Sequence, residues 1–177
     1  MVDSAKPTAR RNDTDDPRGA RELALKILFQ ADIRGTDAAV MLDKLDAEPQ
    51  GLVILNDPDA RTSEDTNHRR GPGDRVDAFT RSLVRGVATH LSQLDELISR
   101  FARRWQISRM PAVDRCVLRL ATYELLHEST PPAVVIDEAV NLAKALSTDD
   151  SGRYVNGVLE SIRKDIATGT SPNGPVE

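Results

Sequence analysis

A chain of 177 residues, 39% hydrophobic and 29% charged, has the length of one domain with a real core. Its net charge of −4 excludes binding of nucleic acid through a general positive field, so any RNA contact needs a local basic patch or a partner that supplies the charge. Aromatic residues make up only 3%, which leaves Leu, Val, Ile and Ala to fill the core and favours packed helices over a β-sandwich.

Residues 1–16 are polar and mixed in charge, and read as a disordered N-terminal arm. Asp16-Pro17 has the form of a helix start, an N-cap followed by proline at the first helical position. Leu23, Ala24, Ile27, Leu28 and Ala31 follow at helical spacing, so a helix is predicted from about 17 to 33, ending near Gly35. A shorter one is predicted over 36–47. Residues 48–74 carry Pro49, Gly51, Pro58, Gly71, Pro72 and Gly73 among many charges and read as a loop insert, in which Leu52 to Leu55 form a short apolar run.

Periodicity returns at 75. Val76, Phe79, Leu83 and Val87 define one helix face, and Leu91, Leu94, Ile98, Phe101 and Trp105 another, with a break expected between Gly86 and Thr89. Pro111 opens a helix that is apolar almost all round, through Val113, Val117, Leu120, Ala121 and Leu125; such a helix is usually central and buried. Thr130-Pro131-Pro132 opens the next, with Val135, Ala139, Val140, Ala143 and Leu146 inside. Thr148 to Ser151 cap the last, whose inner face is Tyr154, Val155, Val158, Leu159 and Ile162. A polar tail occupies 168–177. The expectation is an all-α protein of about seven helices in a single domain over 17–167.

Catalytic and metal-binding patterns have no occupants. His68, His90 and His127 sit in three different elements without ligand neighbours at i+3 or i+4. Cys116 lies among Val117 and Leu118 and reads as a buried, inert thiol; one cysteine also rules out an intrachain disulfide. There is no nucleophile elbow, Walker loop or dinucleotide-binding glycine motif. No catalytic residue, metal or cofactor is expected. The N-terminus has no apolar signal core, and no stretch approaches the roughly 20 apolar residues of a membrane span, which points to the cytoplasm. For nucleic acid, Arg10, Arg11, Arg18 and Arg21 cluster in and before the first helix, with Arg18 and Arg21 sharing a face. A solvated mixed-charge arm is an equal reading, because three aspartates intervene.

Longer motifs carry a resemblance. Residues 111–127, PAVDRCVLRLATYELLH, are followed by Val135 to Lys144, VIDEAVNLAK, and then by Ser147 to Asp150 with Tyr154-Val155-Asn156-Gly157-Val158-Leu159. Upstream, Ala20-Arg21-Glu22 leads into Leu25 to Phe29. In this order the motifs resemble the bacterial transcription antitermination family NusB, in its actinobacterial form, over about 17–35 and 75–167. The resemblance implies two packed three-helix groups, no enzymatic activity, and binding to the boxA RNA of ribosomal RNA operon leaders together with the ribosomal protein NusE, within an RNA polymerase complex containing other Nus factors.

The resemblance also implies site residues. Arg18 and Arg21 match the family's RNA-contacting arginines, although Pro17 and Gly19 stand where other members often carry more arginine. Phe29, a core residue by spacing, matches an aromatic near the RNA, where a stacked base contributes roughly 1–3 kcal/mol. Asp150, Ser151 and Tyr154 match an RNA-facing loop, with N-capping and packing as their structural roles. Asp114 and Arg115 match the region of NusE contacts, with a surface ion pair as the alternative. Asn156 reads as a mid-helix polar residue and Gly157 as a point of close helix approach. A competing function is a helical homodimer that binds no RNA alone.

Overall fold

The computed structural model describes residues 16–47, 76–103 and 105–169, and these residues form six α-helices and one 3-10 turn. They are α1 (Pro17–Arg34), α2 (Ala38–Ala47), α3 (Ala78–Phe101), α4 (Ala112–His127), α5 (Pro132–Leu146) and α6 (Asp149–Ala167), with the 3-10 turn at Ile107–Arg109. The expected 48–74 insert and most of both tails lie outside the described residues.

Helices α1, α2 and α3 pack on one another, as do α4, α5 and α6, and the two groups meet mainly through α4 against α1 and α3. This is the expected pair of three-helix groups. The division falls between α3 and α4, so the chain following the insert joins the N-terminal helices.

Helix starts and stops follow local chemistry. Asp16 caps α1, its side chain accepting from the Arg18 N–H at 3.1 Å, and Pro17 fits the first turn, where no N–H is needed. Gly35 ends α1 at φ 61°, a left-handed conformation that costs glycine nothing, and its N–H returns to the carbonyls of Ala31 and Asp32. Asp77 caps α3 through the Thr80 N–H at 2.8 Å.

The expected break at Gly86 to Thr89 does not occur: α3 runs unbroken from Ala78 to Phe101, which leaves six helices among the described residues where about seven were expected. Gly86 marks instead the close approach of α3 to α4. A Cβ placed there would come within 1.9 Å of Tyr123 Cζ, so only glycine lets the Tyr123 ring lie against the α3 backbone. Gly157 has the opposite character. It is exposed, and a Cβ there would meet nothing within 4 Å, so the expected close approach at that position is absent. Leu91, Leu146 and Trp105 are exposed rather than inward, and Trp105 lies beyond the end of α3.

Helix α4 is the central element. Cys116, Val117, Leu118, Leu120 and Ala121 are all buried, and α4 packs against α1, α3, α5 and α6. Burial pushes the Cys116 thiol up to about 12, with Asp32 adding to the effect, so at neutral pH it is a protonated core residue.

His90 and His127 converge beside Tyr123, with the two imidazole centroids 4.5 Å apart and the Tyr123 and His127 rings 4.9 Å apart. His90 Nδ1 lies 2.9 Å from the Gly86 carbonyl, which can only accept, so this nitrogen carries the proton. Burial and the neighbouring His90 hold His127 below the usual histidine range, against a smaller opposing pull from Glu128.

Two outcomes are expected. Gly86→Ala should destabilise the fold by about 1–3 kcal/mol through the clash with Tyr123, seen as a lowered thermal midpoint; an unchanged midpoint would mean that the two helices separate freely. Because His127 binds its proton more weakly folded than unfolded, its stabilising contribution is present above the unfolded value of 6.5 and is lost as pH falls below it. Melting curves between pH 7.5 and 5 (about the titration range of histidine) should therefore decline less steeply for His127→Gln than for the unaltered chain.

Candidate nucleic-acid interface

The start of α1 carries two arginines with different fates. The Arg18 side chain is 69% exposed and lies only loosely beside Glu138 of α5, at 3.9 Å. Its charge is therefore free to meet a phosphate. Arg21, one turn on, is 5% exposed. Its Nε donates to Glu124 Oε2 at 2.9 Å and its Nη2 to Oε1 of the same carboxylate, while its guanidinium lies 5.2 Å from the centre of the Phe79 ring. The hydrogen bond to Glu124 outweighs burial and raises its pKa further, so it stays charged.

This corrects the expectation of a shared arginine face. Residues three apart on a helix are neighbours, but here they straddle the boundary between solvent and core. Arg21 holds α1 against α4, and Arg18 alone projects.

Phe29 follows Arg18 on the same side of α1, about 16 Å further along. It is half-buried and packs against the core, so part of its ring is available for stacking. Lys26, between them in sequence, is paired with Glu22 at 2.8 Å.

At the other end of α4, the predicted residues of two regions come together. Thr148 caps α6, and its N–H donates to Ser151 Oγ at 3.4 Å. Ser151 is buried and donates to Asp114 Oδ2 at 2.9 Å. Asp114 is only 4% exposed and so presents no surface for a partner, contrary to expectation. Tyr154 is half-buried beside it: burial and then the Asp114 carboxylate raise the pKa of its phenol. Asp150 is exposed on the first turn of α6.

Arg115 does not pair with Asp114. It donates through Nε to Asp32 Oδ1 at 3.2 Å and through Nη1 to the carbonyls of Ile107 and Met110, each at 3.0 Å. Arg119 joins Asp32 and Asp95, with three contacts of 2.7 Å, so α1, α3 and α4 share one ionic cluster. Burial works against the Asp32 charge, but hydrogen bonds from Arg115 and Arg119 outweigh it and hold the carboxyl below the usual range. Adjacent residues on a helix point about 100° apart, which is why Asp114 faces α6 and Arg115 faces α1.

The proposed residues thus form two groups separated by about 15 Å of α4, the distance from Glu124 to Asp114. Arg18 marks one end, and Asp150, Ser151 and Tyr154 the other; Phe29 lies on α1 three residues before Asp32, which bonds Arg115 near that second end. Among the described residues, no group of three or more His, Cys, Asp or Glu is arranged to hold a metal ion, and no helix is long and apolar enough to cross a membrane.

The NusB family profile matches residues 18–164. The transcription antitermination protein NusB of Symbiobacterium thermophilum is 44% identical over 149 residues, covering 82% of this chain and 87% of that protein. The protein of the same name from Saccharopolyspora erythraea is 46% identical over 145 residues, covering 81% and 83%. Among solved structures, T. maritima NusB superposes with a TM-score of 0.63 at 36% identity, covering 85% of this chain and 92% of that one. The antitermination factor NusB crystallised with NusE and double-stranded RNA gives 0.62 at 26% identity, covering 83% and 95%.

Replacing Arg21 by alanine should act on folding before it acts on any ligand. It would leave the Glu124 carboxylate buried and unpaired, at a cost of about 3–5 kcal/mol. Urea unfolding of Arg21→Ala beside the Arg21→Met/Glu124→Leu double variant checks this: the double variant should recover much of the loss, and an Arg21→Ala chain of unaltered stability would place the arginine outside the core.

Proposed function

Because the chain belongs to the NusB family, we propose that it is a transcription antitermination factor that binds boxA RNA of ribosomal RNA operon leaders together with NusE and joins an RNA polymerase complex with other Nus factors. The match over residues 18–164 carries this reading. The relative solved with NusE and RNA supports the choice of partners. On this reading the protein works by assembly in the cytoplasm and not by catalysis.

The physical mechanism begins with charge. With a net charge of −4, the chain as a whole does not attract RNA, so the NusE–protein pair must build the positive surface jointly. Arg18 supplies a phosphate contact from a rigid position, because the Arg21–Glu124 pair fixes the helix turn beneath it. Unpaired bases then stack on the available part of Phe29 and on Tyr154, and Asp150 accepts hydrogen bonds from base or ribose donors. Ser151 and Asp114 hold the start of α6 in place through their buried hydrogen bond. Arg115 has the corresponding role for the turn at 107–110.

The test is a salt series of boxA-type RNA binding with and without NusE. Binding should tighten with NusE and fall steeply with salt, and Arg18→Ala should flatten the slope of log K against log salt by about 1. An unaltered slope would move the RNA away from α1. Absence of binding in both conditions, with a normal helical fold and a dimeric mass, would favour the homodimer.

A further inference from the structure

The segment joining α3 to α4 has a composition that the family reading leaves unused. Residues 100–110 contain Arg100, Arg103, Arg104 and Arg109 and no acidic residue, in a chain whose overall charge is negative. Among them stands Trp105, the sole tryptophan, with 49% of its surface exposed. A large aromatic ring left in water beside arginines is an unusual use of apolar surface, since nothing in the core gains from it.

The 107–110 turn of this segment is held in place. The Arg115 guanidinium bonds the carbonyls of Ile107 and Met110 from below and is itself fixed by Asp32. Met110 is buried and Ile107 packs against the core. The Trp105 N–H donates to the Ala102 carbonyl at 3.0 Å, which ties the backbone that carries the ring to the end of α3. Arg103 and Arg109 are exposed and, among the described residues, form no ion pair. Arg34, also exposed, ends the helix that carries Asp32 and so sits at the same end of the molecule.

From this juxtaposition we propose that Trp105, Arg103 and Arg109 form a second binding site for single-stranded RNA, distinct from the Arg18 face, in which a base stacks on the indole and the arginines neutralise the flanking phosphates. An exposed ring flanked in sequence by exposed cations that form no ion pair among the described residues has the ingredients that sequence-tolerant single-strand binding uses, because every base has a face to stack and every nucleotide a phosphate. The site lies at the N-terminal end of α4, the same end as the 148–154 segment, so it extends the RNA path proposed above and rests on that reading. An acidic protein segment is the competing occupant, and the test separates the two.

Because Trp105 is the sole tryptophan, its emission reports this segment alone. A fluorescein-labelled oligouridylate is titrated into the full chain at low salt, following probe anisotropy for all binding and, with the unlabelled oligonucleotide, tryptophan emission for this site. Oligoglutamate is titrated in parallel. The expected result is saturable quenching by RNA that fades with added salt, is weakened roughly tenfold or more in Arg103→Glu/Arg109→Glu, and persists in Arg18→Glu. All substituted positions are on the surface, and a thermal melt confirms that each variant is folded. An anisotropy rise with unchanged emission would overturn the second site and leave the Arg18 face standing. Tighter quenching by oligoglutamate than by RNA would overturn it in favour of a protein partner. No response in either signal would remove this site and the independent RNA-binding reading together.

Discussion

Glu124 sits 1% exposed on the central helix, and a carboxylate there is tolerable only because Arg21 meets it with hydrogen bonds to both its oxygens. That pair sets the angle at which α1 leaves the core. With its guanidinium bent inward, the first turn is pinned, and the neighbouring Arg18 has a defined place in solvent. A buried ion pair adds little net stability over an apolar pair of the same shape. Its value here is positional: it couples the start of α1 to the helix around which the others pack.

A second polar cluster does the same work at the opposite end of α4. Arg115 and Arg119 share Asp32, and Arg119 also holds Asp95, so three helices meet on alternating charges. From this cluster Arg115 reaches out to fix the 107–110 turn, while the next residue toward the N-terminus, Asp114, fixes the start of α6 through Ser151. The central helix therefore acts as a strut whose two ends each fix the elements packed beside them. The apolar residues between them, with the close approach at Gly86, supply the cohesion.

Charge distribution connects these supports to function. The acidic excess of the chain disfavours indiscriminate contact with nucleic acid. On the proposed function, affinity would then depend on arginines presented singly from rigid positions and on a partner that completes the surface, so that binding would respond to the assembly of a complex more than to RNA concentration alone.

The sequence by itself determined the helical class, nearly all helix boundaries, the burial of α4 and the family. Each depends on local chemistry that the chain spells out: apolar spacing, Asp16 and Thr148 as caps, Gly35 as a stop, and long motifs in order. It could not reveal which side of a polar residue faces inward. Arg18 and Arg21 look alike in one dimension, as do Asp114 and Arg115, yet each pair divides between different neighbours because one helical step of about 100° moves a side chain to another surface. Gly86 likewise reads as a break until the Tyr123 ring is seen lying on it. Only the tertiary structure decided these, since burial and partnership depend on residues distant in sequence, such as Glu124 to Arg21 or Ser151 to Asp114, that the fold alone brings within a hydrogen bond.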